Sequence, residues 1–214
     1  MPDRSDSSPS ANNEEEQDMR KIDFLVAGVG GQGTILASDI LAEVGMKAGY
    51  DAKKSDVLGL AVRGGSVLSH VRWGTKVASP VNRKGRIDYL LGFEPLEALR
   101  GAEFLQPQSN ALVNVQQVPP VSVSSGEEHY PMREEIEQVL KGATEKVWFV
   151  EATREAVRLG SSKVTNVVML GAFSTLLEVP TDIWEEAILS RVPPRHVQLN
   201  KAAFIAGRKL LQGG

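Results

Sequence analysis

Gly28, Gly30 and Gly33 stand at the spacing G-x-G-x-x-G inside the run FLVAGVGGQGTILA, Phe24–Ala37. An apolar run precedes them and a helix-forming stretch follows. Glycines in that position permit a tight turn, clear the approach to the backbone, and present amide N–H groups at a helix N-terminus to an anion. Gly31 is an additional glycine, so the loop reads Gly30-Gly31-Gln32-Gly33, with Thr34 directly after it. Three readings stay open: a tight strand–helix turn, contact with an anion or cofactor, and a nicotinamide dinucleotide site. The last needs an acidic residue at the end of the second strand. Asp51 is expected to begin that strand and Asp56 to lie just past its end.

A second group of chemically capable residues fills LGLAVRGGSVLSHVRWG. Gly59, Gly64, Gly65 and Gly74 punctuate a stretch holding Arg63, Ser66, Ser69, His70 and Arg72. An Arg followed by Gly-Gly can bring a guanidinium and backbone amides to one anion. His70 is either a base or a hydrogen-bonded core histidine, and the second is the commoner role. Arg63 and Arg72 have structural ion pairs as their alternative. A third feature is TNVVMLGAFSTLL, an apolar helix with Asn166 near its start. Asn166 either caps that helix or offers its amide to a ligand. Gly171, in mid-helix, is expected to tolerate alanine.

The 214 residues include no cysteine and three histidines. That composition excludes a disulfide, a thiolate nucleophile and cysteine-ligated zinc or iron–sulfur clusters held by this chain. His70, His129 and His196 share no helical metal-ligand spacing. A formal net charge of −3 points to neither nucleic acid nor an anionic membrane. No apolar run is long enough for a spanning helix, and the polar N-terminus lacks a signal-peptide pattern. The expected location is cytoplasmic.

Residues 1–20, rich in Ser, Asn and Glu, bury too little apolar surface to offset ordering and are expected to be a disordered tail, with one domain over 21–214. Strands are expected at Ile22–Val29, after Gly49, over SVLSHVRWG, RIDYLLGFE, ALVNV and KVWFVEA. Helices are expected over Thr34–Lys47, in EPLEALR with Pro95 in its first turn, around Ala156, and over Val164–Leu177, Asp182–Ser190 and Val197–Leu211. Thr181 or Asp182 is the candidate cap of the helix that follows VP. This alternation implies a three-layer α/β/α, Rossmann-like domain with a mostly parallel, mixed sheet and a helical C-terminal third. The hairpin-like stretch VRWGTKVASPV is the expected source of the antiparallel member.

Taken in order, GVGGQGTILAS, AVRGGSVLSHVRWG, YLLGFEPLEALR and TNVVMLGA resemble the gamma-type domain of the 2-oxoacid:ferredoxin oxidoreductases, most closely the small subunit of its indolepyruvate branch. The resemblance spans roughly residues 21–210. It implies a subunit inactive alone, within a complex that oxidatively decarboxylates 2-oxoacids, arylpyruvates favoured, to acyl-CoA. It further implies a large partner subunit carrying thiamine diphosphate and the iron–sulfur clusters, with coenzyme A as co-substrate and ferredoxin as electron acceptor. No cofactor is expected in this chain alone, and no catalytic acid or base. Gly30, Gly31, Gln32 and Gly33 would form one anion-receptive loop, Arg63, Gly64, Gly65 and Ser66 a second, and Asn166 a polar contact at a helix end. The alternatives are an autonomous NAD- or nucleotide-binding protein and a binding module reused as scaffold.

Overall fold

The structure, a computed structural model, describes residues 20–59 and 64–212. All of the expected tail but Arg20, and Arg63 of the second loop, lie outside these residues. The strands are β1 (Ile22–Val29), β2 (Asp51–Leu58), β3 (Ser66–Gly74), β4 (Ile87–Gly92), β5 (Leu105–Asn114) and β6 (Lys146–Val150). They form one sheet in the order β2-β3-β1-β4-β5-β6. β1, β4, β5 and β6 pair in parallel. β3 runs antiparallel to both of its neighbours.

The sheet is therefore mixed, as expected, but its antiparallel member arises elsewhere in the chain. β2 and β3 are the hairpin, closed at its end by the Gly59 N–H donating to the Ser66 carbonyl at 2.8 Å. VRWGTKVASPV instead supplies the end of β3 and then a loop that passes β1 to reach β4. Asn82 anchors this loop, its Nδ2 donating to the Phe24 carbonyl at 2.6 Å.

The helices are α1 (Thr34–Lys47), α2 (Pro95–Arg100), α3 (Val121–Ser124), α4 (Arg133–Ala143), α5 (Ala152–Arg158), α6 (Thr165–Ser174), α7 (Thr181–Ser190) and α8 (Val197–Gln212). Because side chains alternate along a strand, β1 sends Phe24 and Val26 to one face and Leu25 and Ala27 to the other. The first face packs on α1, α5, α6, α7 and α8. The second packs on Ala98 of α2 and on Ile136 and Leu140 of α4. Those two cores on opposite faces make the three layers. β1 is buried on both sides, which explains its nearly unbroken apolar run.

α4 has no counterpart in the sequence expectation. Its sequence, REEIEQVLKGA, buries only Ile136 and Leu140, with Ala143 half-buried beside them and the rest of its surface charged or exposed. It nonetheless provides the crossover that a parallel β5–β6 pair requires. The expected cap of α7 is not made: Pro180 holds the N-cap position, and no side chain caps it.

α6 is apolar around nearly its whole circumference and buried from Asn166 to Ser174, as expected of a helix enclosed by protein. Its packing overturns the expectation for Gly171. A Cβ there would lie 2.2 Å from the Phe204 carbonyl oxygen of α8, and one at Gly207 would lie 2.0 Å from the Val168 oxygen of α6. The two glycines let the helix backbones touch, so alanine does not fit.

Candidate functional site

The C-terminal end of β1 leads into the glycine loop, where Gly31 and Gly33 take φ of 106° and 80°. These left-handed values favour glycine. Antiparallel β3 begins at this same edge of the sheet, so the hairpin turn returns to meet the loop. The Gly30 N–H donates to the Gly65 carbonyl at 2.8 Å, and the Gly64 N–H donates back to the Gly30 carbonyl at 3.2 Å. The two loops singled out in the sequence are thus joined through their backbones.

Gln32 fixes the shape of the first loop. Its Oε1 accepts from the Val29 N–H at 2.7 Å, and its Nε2 donates to the Phe93 carbonyl at 3.3 Å. The same carbonyl accepts from Asn114 Nδ2 at 3.1 Å, and that amide also donates to Thr153 Oγ1 at 3.0 Å. The second loop is held by Ser66, whose hydroxyl donates to the buried carboxylate of Glu97. Glu97 in turn takes Arg100 at 2.6 Å, and its N–H is capped by Glu94 at 2.9 Å. Glu94 also accepts from the Val118 N–H and from the Tyr130 hydroxyl. Burial, followed by the Glu94 hydrogen bond, pushes the Tyr130 phenol well above its ordinary range.

Asn166 is buried in the first turn of α6, past the N-cap position held by Val164. It therefore does not cap the helix. Its amide packs on Gly33, where a Cβ would lie 3.0 Å from Nδ2.

The glycine loop separates two clefts. One, of about 320 Å³, lies between Gly31–Gly33 and the leading turn of α6, with Gln116, Thr153, Lys163 and Asn166 in its wall. The other, of about 350 Å³, lies between the loop and the base of the hairpin, with Val29, Ile35, Leu58 and Val67. Thr34 also lines the second, its buried Oγ1 without a partner among the described residues. The first turn of α1 leaves N–H groups without intrahelical acceptors beside both. Amides, hydroxyls, one lysine and a helix N-terminus suit an anionic group on the polar side, and an apolar moiety suits the other. Among the described residues no cluster of three His or carboxylate groups could hold a metal.

Of the expected site residues, Gly30, Gly31, Gln32, Gly33, Gly64, Gly65, Ser66 and Asn166 all gather at this edge, while Arg63 lies outside the described residues. His70 does not join them. It is buried in β3, accepts from the Asn82 N–H at 3.3 Å and packs edge-on to Phe104, and burial lowers its pKa. Arg72 pairs with Asp23 at 2.8 Å, the structural alternative. Sequence reasoning missed Glu94, Glu97, Tyr130, Asn114, Thr153 and Lys163. Only Glu94-Pro95-x-Glu97 carried a signal, an acidic N-cap before a proline at the first helical position.

The dinucleotide reading loses its ribose contact. β3 lies between β1 and β2, so the second strand is not beside the glycine loop's strand. Asp56 lies within β2 rather than past its end, and it is taken up by Ser69 at 2.6 Å and Lys54 at 3.0 Å.

Comparison with known proteins gives a consistent result. The family described as pyruvate ferredoxin/flavodoxin oxidoreductase matches residues 23–210. The chain is 35% identical over 194 residues to indolepyruvate oxidoreductase subunit IorB of Pyrococcus horikoshii, covering 89% of this chain and 96% of that one. It is 37% identical over 189 residues to the same subunit of Archaeoglobus fulgidus, covering 87% and 94%. Among solved structures it resembles the gamma subunit of a keto/oxoacid ferredoxin oxidoreductase from Geobacter sulfurreducens. There the TM-score is 0.65 at 27% identity, with 90% of this chain and 99% of that one covered.

Proposed function

The chain belongs to the pyruvate ferredoxin/flavodoxin oxidoreductase family, and on that premise we propose that it is the small subunit of an indolepyruvate or arylpyruvate ferredoxin oxidoreductase. In that complex it supports oxidative decarboxylation of the 2-oxoacid to an acyl-CoA, while a large partner subunit holds thiamine diphosphate and the iron–sulfur clusters and passes electrons to ferredoxin. The observation that carries this reading is end-to-end similarity, at more than a third identity, to subunits named for indolepyruvate oxidoreductases. Domain fold alone would not choose among the functions such folds host.

The chain's own chemistry agrees with the division of labour. Without cysteine it has no thiolate to ligate an iron–sulfur cluster. The joined loops offer hydrogen-bond donors and an apolar wall but no paired acid and base. The residues fit coenzyme A better than they fit a redox group. The Gly31–Gly33 loop, Lys163 and Asn166 would meet an anionic group of it, and the cleft along Val29 and Leu58 would take an apolar portion. Bound coenzyme A would supply the thiol that receives the acyl group. This chain's part is to bind and orient.

The test is reconstitution. The full chain, alone and combined with a candidate large partner subunit, is assayed with indolepyruvate, coenzyme A, thiamine diphosphate and a viologen acceptor. Turnover only in the combined sample, and faster with indolepyruvate than with pyruvate or 2-oxoglutarate, is expected. Steady turnover by the lone chain, or tight binding of a nicotinamide dinucleotide to it, would overturn the reading.

A further inference from the structure

The other end of the sheet carries a second concave site. Asp23 lies near the start of β1 and Gly30 just beyond its end. Seven residues at about 3.3 Å each place the two ends roughly 23 Å apart. At the Asp23 end is a cleft of about 690 Å³, within the size range of small-ligand sites.

Its floor is built and fixed. Asp23, 4% exposed, accepts from Arg72 Nε at 2.8 Å and from Lys21 at 2.9 Å. The Arg72 guanidinium is held from its other side by the Ser79 carbonyl at 2.7 Å. Asp88 Oδ2 accepts from the Asp23 N–H at 2.8 Å, and its Oδ1 from Gln106 at 3.3 Å. The floor carboxylates are thus already engaged.

The rim is different. Lys76, Arg83 and Arg86 line the cleft, and among the described residues no carboxylate lies within ion-pair distance of any of them. Their neighbour Lys84, by contrast, pairs with Glu103 at 2.7 Å. The segment that carries the arginines is pinned rather than loose. Asn82 is buried and bonded to Phe24, while the Gly85 and Arg86 N–H groups donate to Glu103 and Phe104 carbonyls at 3.0 and 2.9 Å. Three cations without a carboxylate partner among the described residues, on a fixed frame and in a chain of net negative charge, form a local field selective for a multiply charged anion. Guanidinium forks match phosphate geometry, and the concavity suits a small molecule rather than a flat protein face.

We propose that this cleft is a second binding site, for a small phosphorylated molecule carrying at least two phosphate groups, with Arg83, Arg86 and Lys76 as its anion-binding residues. It is separate from the glycine-loop clefts and does not depend on the identity of the oxoacid.

Inorganic pyrophosphate is the probe. The full chain is titrated with it by calorimetry and thermal melting, against sodium chloride at matched ionic strength. The comparison includes R83S/R86S, whose side chains have no ion pair to lose among the described residues, and Lys163→Ser at the glycine-loop cleft. Saturable binding that weakens about tenfold or more in R83S/R86S and persists in Lys163→Ser is expected. No saturable binding, a melting shift equal to that of chloride, unchanged affinity in R83S/R86S, or loss in Lys163→Ser alone would each overturn the proposal.

Discussion

Replacing Gly171 by alanine tests whether the contact between α6 and α8 is as close as described. An added Cβ would sit 2.2 Å from the Phe204 carbonyl oxygen, 1.2 Å short of the 3.4 Å at which ordinary contact begins. The obstacle is backbone, so no rotamer change relieves it. α6 cannot retreat freely, because Phe173 on its other side packs edge-on against Phe24 and Tyr89 of the sheet. Overpacking of this kind costs about 1–3 kcal/mol, and a clash with backbone belongs at the upper end. Against it stands the helix-propensity gain of Ala over Gly, about 1 kcal/mol. The net is a loss of about 2 kcal/mol, or about 4–8 °C in Tm for a domain this size. Gly142 in α4 is the matched control, because a Cβ there meets nothing within 4 Å; its alanine variant should melt at or slightly above the parent. Thermal melts monitored by circular dichroism, with urea titrations alongside, decide it. A Gly171→Ala protein as stable as the parent would refute the close crossing.

Gly31→Ala adds a Cβ into open space but at a φ of 106°, so its cost is backbone strain of about 1–2 kcal/mol. We expect a smaller loss of Tm than for Gly171→Ala, together with weaker coenzyme A affinity in the reconstituted complex. Ser66→Ala leaves the buried Glu97 carboxylate without one donor and should lower unfolding free energy by about 1.5–3 kcal/mol in urea titration; an unchanged midpoint would remove that bond from the account. His70 is held neutral by burial, so its folded pKa lies below its unfolded value of about 6.5. The unfolded chain then binds the extra proton first, and stability present above about pH 6.5 is lost as the pH falls below it. Urea midpoints at pH 7.5 and 5.5 should therefore differ more for the parent than for His70→Gln.

Periodicity made the framework legible. The apolar run of β1, the i, i+3, i+4 pattern of α1 and the alternation in β3 each report burial that is decided locally. The hairpin was misplaced because Gly74 looks as much like a turn as Gly64 does, and only strand pairing distinguishes them. α4 was hidden because two buried side chains among eleven residues leave little apolar pattern. The meaning of Gly171 rests on a helix more than thirty residues away, which no local propensity contains. At the site, the glycines and Asn166 could be read in advance, since turn geometry and helix starts have local signatures. Glu97 beneath Ser66, and Asn114 sharing the Phe93 carbonyl with Gln32, could not, because those bonds depend on which strand ends the sheet brings side by side.

The two hydrogen bonds between Gly30 and the Gly64–Gly65 turn make a small clasp between segments distant along the chain. Neither segment closes it alone, so their amides are protected as a pair or not at all. Local opening of the edge hairpin would release the Gly30 N–H inside the sheet's central loop together with the Gly64 N–H in the turn, at a free energy below that of global unfolding. In hydrogen exchange the two glycines should therefore share one opening rate. Anything that docks on either loop would slow exchange at both, giving one observable for the state of the whole edge.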